Sequence, residues 1–108
     1  PHSVIEDIIS YINNNTSSKL SLEDLADRAG LSPFYFTRLF KRETGYTPHE
    51  YIIVSRINIA KFYLKSSTYS IKEICFNSGF SSESSFCSTF RRVCGMTPSE
   101  YRENNNIS

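Results

Sequence analysis

The sequence of 108 residues predicts an all-α fold made of two similar halves. Apolar residues recur every three to four positions through nearly the whole chain, and no alternating valine-rich stretch indicates a strand. Serine, threonine and glycine stand at the ends of these periodic segments, where they cap helices. An apolar fraction of 39% is typical of a globular protein, and a chain of this length can form a single domain over residues 1–108.

The first half, about residues 4–47, is predicted to contain three helices. The first is an apolar stripe over residues 4–12 that ends in asparagines. Ser21 caps the second helix, and Ser32 caps the third, which Gly45 ends in a left-handed conformation. Proline directly after Ser32 suits the first turn of a helix. The inward residues of the second and third helices are predicted to be Leu22, Leu25, Ala26, Phe36, Leu39 and Phe40.

A long helix over about residues 48–65 is predicted to link the two halves. Thr47 and Pro48 open it, because a hydroxyl followed by proline is a typical helix start. At 1.5 Å per residue such a helix spans roughly 27 Å, so we expect a stiff connector. Its inward residues are predicted to be Tyr51, Ile52, Ile57, Ala60 and Leu64.

Three more helices are predicted in the second half, about residues 68–103. Ser70 caps the first of them and Gly79 ends it. The second covers about residues 83–94 and is closed by Gly95, and a Thr-Pro pair opens the last. The inward residues are predicted to be Ile71, Ile74, Cys75, Phe86, Phe90, Val93 and Tyr101.

An internal repeat covers both halves. The segment over residues 22–32 recurs 49 residues further on, and the segment over residues 36–51 recurs 50 residues further on. One extra residue is therefore expected between Ser81 and Phe86. Each copy contains a helix, a glycine turn and a second helix that ends in a basic pair, a glycine and Thr-Pro. Fifteen matched positions are too many for a chance similarity.

Each copy meets the requirements of a helix-turn-helix. A small residue, Ala26 or Cys75, stands where the first helix must approach the second closely. Four positions on, Gly30 or Gly79 can adopt a positive φ, and the apolar residue that follows fills the core beneath the turn. In this motif the second helix presents its outer face to the major groove of DNA.

The outer faces of the two second helices are predicted to contact bases. In the first copy this face carries Phe34, Thr37 and Arg38. Arg38 is the strongest candidate because a guanidinium can bridge O6 and N7 of guanine. In the second copy the face carries Glu83, Ser84, Ser85 and Ser88, and we expect weaker discrimination there. Two roles fit Glu83 equally well. It either accepts a hydrogen bond from the amino group of a cytosine or interacts favourably with the dipole at the start of the helix.

Positive charge is concentrated near these helices. The net charge of +1 divides into −3 for residues 1–32, +5 for residues 33–72 and −1 for residues 73–108, where Arg102 adds to a basic pair. Cations placed in this way are expected to meet phosphates, although surface charges without a partner are the alternative. The predicted phosphate contacts are Lys41, Arg42, Thr47, Arg91, Arg92 and Thr97. For Arg56, a buried or semi-buried ion pair is as good an explanation as a phosphate contact.

Other kinds of chemistry are not indicated by the sequence. Three cysteines, Cys75, Cys87 and Cys94, lack C-x-x-C spacing, so we expect reduced thiols rather than disulfides or a zinc knuckle. His2 and His49 have no partner at metal-ligand spacing. No nucleophile–base pair, carboxylate dyad or phosphate loop appears, so we expect neither an enzyme nor a cofactor. No apolar run reaches the roughly 18 to 20 residues of a membrane span.

These residues resemble the DNA-binding domain of the AraC/XylS family of bacterial transcription regulators. The resemblance covers about residues 4–103 and implies seven helices forming two helix-turn-helix subdomains joined by a linker helix. It also implies base contacts from the positions of Phe34, Thr37, Arg38, Ser84, Ser85 and Ser88. The motifs that carry it are L-x-x-L-A-x-x-x-G-L-S from Leu22, F-x-x-L-F-K-x-x-x-G-x-T-P-x-x-Y from Phe36, R-I-x-x-A-x-x-x-L from Arg56, I-x-E-I-C-x-x-x-G-F-S from Ile71 and F-x-x-x-F-R-R-x-x-G-M-T-P-x-x-Y-R from Phe86.

The resemblance further implies a larger regulator, because members of this family usually carry a second domain that senses a ligand or phosphorylation. We therefore expect a monomeric output domain in a cytoplasmic regulator, with a short stand-alone regulator as the alternative. Dimerisation of the full-length protein and contact with RNA polymerase stay open. The main competing function is an all-helical protein–protein interaction module, which would not require cations at the matched ends of both second helices.

Overall fold

Seven α-helices make up the part of the chain that the structure describes. This computed structural model describes residues 3–106, with side chains for residues 3–104, so that His2 lies outside it. No strand occurs among these residues, and the predicted all-α fold is confirmed. The helices are α1 Val4–Asn14, α2 Leu22–Ala29, α3 Pro33–Thr44, α4 Pro48–Ser66, α5 Ile71–Asn77, α6 Glu83–Cys94 and α7 Pro98–Asn106. None of them combines the length and the apolar character needed to cross a membrane.

Side-chain hydroxyls begin the helices where the sequence predicted them. The Oγ of Ser21 accepts from the backbone N–H of Asp24 at 3.1 Å, and Ser32 accepts in the same way from Tyr35 at 3.2 Å. Ser70 accepts from Glu73 at 3.0 Å. Each bond satisfies one backbone donor that the first turn of a helix leaves unpaired.

The chain divides into two compact units, Pro1–Ser55 and Arg56–Ser108, and the division falls within α4. In the first unit, α1, α2 and α3 pack around a core that includes Phe36 and Phe40. The rings of Phe36 and Phe40 are 5.7 Å apart, and Phe40 meets Tyr51 edge-on at 5.5 Å. The other fully buried members of this core are Ile5, Ile8, Ile12, Leu25 and Ala26.

The second unit repeats the aromatic packing of the first. Phe86 and Phe90 lie 5.8 Å apart, and Phe90 meets Tyr101 edge-on at 5.5 Å. The remaining buried residues of this unit include Ile57, Ala60, Leu64, Ile74 and Cys75. The core therefore includes Phe36, Phe40, Phe86 and Phe90, as their inward spacing predicted.

The predicted turns between the two helices of each unit have the same hydrogen bonds. Ala26 and Cys75 are fully buried, and each carbonyl accepts at 3.0 Å from the N–H five residues further on, at Leu31 and Phe80. Such a bond is one of the pair that closes a Schellman turn, which requires a residue with positive φ. The residues in that position are Gly30, with φ 72°, and Gly79, with φ 104°.

The extra residue of the second copy is Ser81, which lies in the turn. Ser82, not Ser81, caps α6, because its Oγ accepts from the backbone N–H of Ser85 at 3.1 Å. Ser82 thus has the role of Ser32, 50 residues earlier, whereas Phe80 still follows the 49-residue offset. The insertion is therefore one position earlier than the sequence predicted, and it lengthens the turn rather than α6.

Two residues predicted to face inward are exposed. Val93 is 44% exposed and lies in the last turn of α6, at the position that the exposed Glu43 occupies in α3. Leu22 is 38% exposed at the first position of α2. Both lie in a terminal turn, so an apolar side chain in register with the inward stripe does not ensure burial there.

Arg102 is a half-buried structural residue of the second unit, a role that the sequence did not predict. Its guanidinium donates from Nη1 to the carbonyl of Tyr69 at 2.7 Å. It also donates at 3.3 Å from Nε to Leu64 and from Nη2 to Ser67. These carbonyls belong to the end of α4 and the segment after it, where backbone acceptors have no partner within the helix.

Replacing Arg102 should destabilise the protein. We expect Arg102→Ala to lower the free energy of unfolding by about 1–3 kcal/mol, because three carbonyls lose a charged donor. Urea unfolding measures the change. The control is Arg92→Ala, which removes an exposed arginine and should stay within about 0.5 kcal/mol of the parent. Equal stability of the two variants would contradict the structural role of Arg102.

Candidate nucleic-acid interface

Helix α3 carries an exposed row of large and cationic side chains. Phe36 and Phe40 are fully buried. Two residues that are two positions apart in a helix point in nearly opposite directions, about 200° apart around the helix axis. The buried pair therefore turns Phe34 and Arg38 towards solvent, and Phe34 is 73% exposed. The base-contact candidates Phe34 and Arg38 share one face, as the sequence predicted.

Phe34 and Arg38 are also in contact with each other. The guanidinium carbon of Arg38 lies 5.6 Å from the centre of the Phe34 ring, within the range of a cation–π interaction. Beside them is an open cavity of about 390 Å3, also lined by Tyr35, Leu39 and Arg42. Tyr35 is exposed, and sequence reasoning missed it. The sequence did contain a signal for it, because Tyr35 is an aromatic residue that lies outside the inward apolar stripe of α3.

Thr37 is the least accessible of the three base-contact candidates on α3. It is half-buried and lines a second cavity of about 180 Å3, together with Thr47 and His49. The structure thus brings a predicted base contact, Thr37, close to a predicted phosphate contact, Thr47. The rest of this cavity is apolar and is formed by Leu20, Leu22, Leu25, Pro48 and Ile52.

The corresponding face of α6 is exposed but has short side chains. Ser84 and Ser88 occupy the positions of Phe34 and Arg38, 50 residues later, and both are exposed. The counterpart of Thr37 is Cys87, which the sequence prediction passed over although the repeat register identifies it. Ser85, the counterpart of Tyr35, is exposed as well.

Glu83 is the first residue of α6 and is exposed. Its carboxylate lies close enough to Cys75 and Cys87 to raise the pKa of both thiols, after burial, which is the larger cause. Burial also raises the pKa of Cys94. All three cysteines are free, and their raised pKa values favour the protonated thiol, which is a weaker nucleophile than the thiolate.

Cations end both of these helices. Lys41 and Arg42 lie in the last turn of α3, and Arg91 and Arg92 lie in the last turn of α6, where all four are exposed. Cations in this position also interact favourably with the helix dipole. Arg56 is different, because it is half-buried and burial lowers its pKa.

Thr47 and Thr97 form matched capping boxes, which the sequence analysis missed although T-x-x-E is their signature. The Thr47 hydroxyl accepts from the N–H of Glu50 at 3.2 Å, and Oε1 of Glu50 accepts from the N–H of Thr47 at 2.8 Å. Thr97 and Glu100 repeat these bonds at 3.1 and 2.8 Å. Each hydroxyl is used as an acceptor, so its proton can still be donated to a phosphate.

These capping boxes should make stability depend on pH. Hydrogen bonds from the backbone and then the side chain of the threonine lower the pKa of Glu50 and Glu100 from the usual value of 4.5. The ionised carboxylates therefore stabilise the fold fully above pH 4.5, and this contribution is lost as the pH falls through the lower folded-state values.

We expect the double variant Glu50→Gln, Glu100→Gln to melt below the parent protein at pH 7, with the gap closing as the pH falls below 4.5. Thermal unfolding followed by circular dichroism across this pH range measures the gap. Glu103→Gln, an exposed change in α7, is the control. A gap that stays constant with pH would contradict the role of the two carboxylates.

Comparison with known proteins agrees with this arrangement. A family model described as a helix-turn-helix domain matches residues 25–104. The TetD protein of transposon Tn10 from Escherichia coli is 39% identical over 101 residues, which cover 94% of this chain and 73% of that protein. Several other curated relatives are longer, and the chain spans only 33% to 46% of their length.

Solved structures share the fold. The DNA-binding domain of AdpA, determined in complex with a target DNA, has a TM-score of 0.91 and 29% identity, covering 95% of this chain and 93% of that one. A regulator from Chromobacterium violaceum with an AraC-type DNA-binding domain has a TM-score of 0.88 and 33% identity, covering 96% and 93%. These matches define a class, the helix-turn-helix domains of transcription regulators. The chain belongs to the AraC/XylS family and forms a DNA-binding domain of that type.

Proposed function

We propose that this domain binds specific double-stranded DNA by placing α3 and α6 in successive major grooves, and that it thereby regulates transcription. The exposed row on α3 carries this proposal, because its aromatic and cationic side chains stand on the helix that a helix-turn-helix inserts into the groove. The cationic end of α3 recurs at the matched end of α6, as expected if both recognition helices contact the DNA phosphates in the same way.

The two helices contribute unequally to specificity in this proposal. On α3, Arg38 bridges a guanine, and Phe34 and Thr37 contact neighbouring bases. On α6 the contacts come from the shorter side chains of Glu83, Ser84, Ser85 and Ser88, which offer fewer donors and less reach. Glu83 either accepts from a cytosine or only favours the helix start, and its exposed position fits both roles.

Contacts to phosphate hold both helices in register. The exposed cations at the ends of α3 and α6 supply charge, and the hydroxyl protons of the two capping threonines supply neutral donors. The proposed phosphate contacts are Lys41, Arg42, Thr47, Arg91, Arg92 and Thr97. Arg56 is either a further phosphate contact or part of a semi-buried interaction within the protein.

The domain is proposed to be the output part of a larger regulator in the cytoplasm that responds to a ligand or to phosphorylation. Both short and long regulators occur among the relatives. The chain spans 92% of the regulatory protein SoxS of Escherichia coli but only 34% of the regulatory protein PocR of Salmonella typhimurium. The isolated domain is proposed to be a monomer. Dimerisation and contact with RNA polymerase would then belong to the intact regulator.

No enzymatic role is proposed for this domain. One relative, AdaA of Bacillus subtilis, is named a bifunctional transcriptional activator and DNA repair enzyme, and the chain spans 46% of it. The thiols of this chain are buried enough to have raised pKa values, which makes them poor nucleophiles. A protein–protein interaction module is the competing function, and the salt dependence of DNA binding separates the two.

The affinity for duplex DNA should fall steeply with salt. If the exposed cations neutralise about six phosphates, the logarithm of the binding constant should fall against that of the salt concentration with a slope of about −5. Fluorescence anisotropy with a random-sequence duplex measures the slope. Arg91→Ala should weaken binding to all sequences and make the slope shallower by about one. A flat response in the parent protein would favour the interaction module.

Arg38→Ala should impair recognition of the preferred sequence more than general binding. We expect a loss of about 1–3 kcal/mol on the preferred duplex and a relaxed requirement for one base pair, because a bidentate contact to guanine is removed. Binding constants on the preferred duplex and on its single-base-pair variants measure the effect, with Arg91→Ala as the matched arginine control. An equal loss on every duplex would make Arg38 a phosphate contact.

A further inference from the structure

We propose that Phe34 and Arg38 form one composite reader, selective for a guanine whose neighbouring base pair contains thymine. The Arg38 guanidinium binds O6 and N7 of the guanine, and the Phe34 ring packs against the 5-methyl group of the thymine. This inference rests on the proposed insertion of α3 into the major groove and specifies the sequence that α3 recognises there.

The first support is the exposure of an aromatic ring at the start of α3. Phe34 is the second residue of the helix, and Arg38 follows one turn later on the same face. The N-terminal residues of a recognition helix are those that reach base edges. At 73% exposure, the Phe34 ring presents an apolar surface that the fold itself does not use. The only apolar group that a base edge offers in the major groove is the thymine methyl.

The second support is the contact between the two side chains. The guanidinium carbon lies 5.6 Å from the ring centre, and a cation–π interaction uses none of the five N–H donors as a hydrogen bond would, so they stay available for a base. The ring also restricts the rotamers of Arg38, which lowers the entropy lost when the arginine binds. Phe34 therefore contributes both a methyl contact and the ordering of Arg38.

The third support is the distance between the two groups. Stacked base pairs are about 3.4 Å apart along the duplex axis. The 5.6 Å between the ring centre and the guanidinium carbon exceeds one such step and falls short of two. The two groups are therefore close enough together to reach adjacent base pairs. In the second unit Ser84 and Ser88 occupy the same positions, so this reader belongs to the first unit alone.

Removing single methyl groups from DNA tests the proposal with the whole chain. The preferred duplex is first selected from a random pool, and each thymine next to a guanine is then replaced singly by deoxyuridine, which lacks only the methyl group. The parent protein should lose about fourfold in affinity at one such position, equivalent to about 0.8 kcal/mol for one buried carbon. Replacing the adjacent guanine by 7-deazaguanine, which lacks N7, should also weaken binding.

Three variants assign these effects to side chains. Phe34→Ala should bind thymine and deoxyuridine duplexes equally, and Arg38→Ala should become insensitive to 7-deazaguanine. Phe34→Leu should keep the preference for thymine, since leucine can still contact a methyl group, but should discriminate less well against other bases at the guanine. The loss of affinity expected in the parent protein when the methyl group is removed, about 0.8 kcal/mol, is the value with which all three variants are compared.

Several outcomes would overturn the composite reader. These are equal affinity for thymine and deoxyuridine at every position, a methyl preference that survives in Phe34→Ala, and a selected site with no thymine beside a guanine. In each of them specific DNA binding would still stand. Selection that yields no preferred sequence at all would instead defeat the proposed function from which this inference starts.

Discussion

The buried turn between two successive helices determines how each unit presents its outer helix. Ala26 and Cys75 are fully buried at this point, and the hydrogen bond from each carbonyl to the N–H five residues later closes the turn. Because a glycine with positive φ follows, the chain can reverse within a few residues and bury two phenylalanines of the next helix, which are Phe36 and Phe40 in the first unit and Phe86 and Phe90 in the second. Burial of one face of α3 in turn exposes the other, where Phe34 and Arg38 lie.

Duplication has preserved this frame while the outer faces have diverged. The turn bonds, the aromatic pairs and the capping boxes have nearly the same geometry in both units. The positions proposed to face the groove differ, however, since Ser84 and Ser88 replace a phenylalanine and an arginine. The inserted Ser81 is absorbed by the turn and leaves α6 in register with its core. A frame held by buried residues can therefore accept new readers without repacking.

Most of the fold was predictable from sequence because its determinants are local. Helical periodicity, serine caps and glycine ends act within a few residues, so the helix bounds followed from them. The role of Arg102 was not predictable, since its acceptor carbonyls are 33 to 38 residues away in the chain. The choice of Ser82 as the cap depended on which of two adjacent serines the turn geometry favours. The partial burial of Thr37 results from neighbours on other helices. The capping boxes of Thr47 and Thr97, by contrast, were readable and were overlooked.

Two separate readers of unequal strength are the central expectation for this domain. Selection of bound duplexes from a random pool, followed by sequencing, examines it most directly. Two blocks of preferred bases should emerge, about 10 base pairs apart, with the stricter block containing the guanine bound by Arg38. A single block of preference, or two blocks of equal strictness, would contradict the division of labour between α3 and α6.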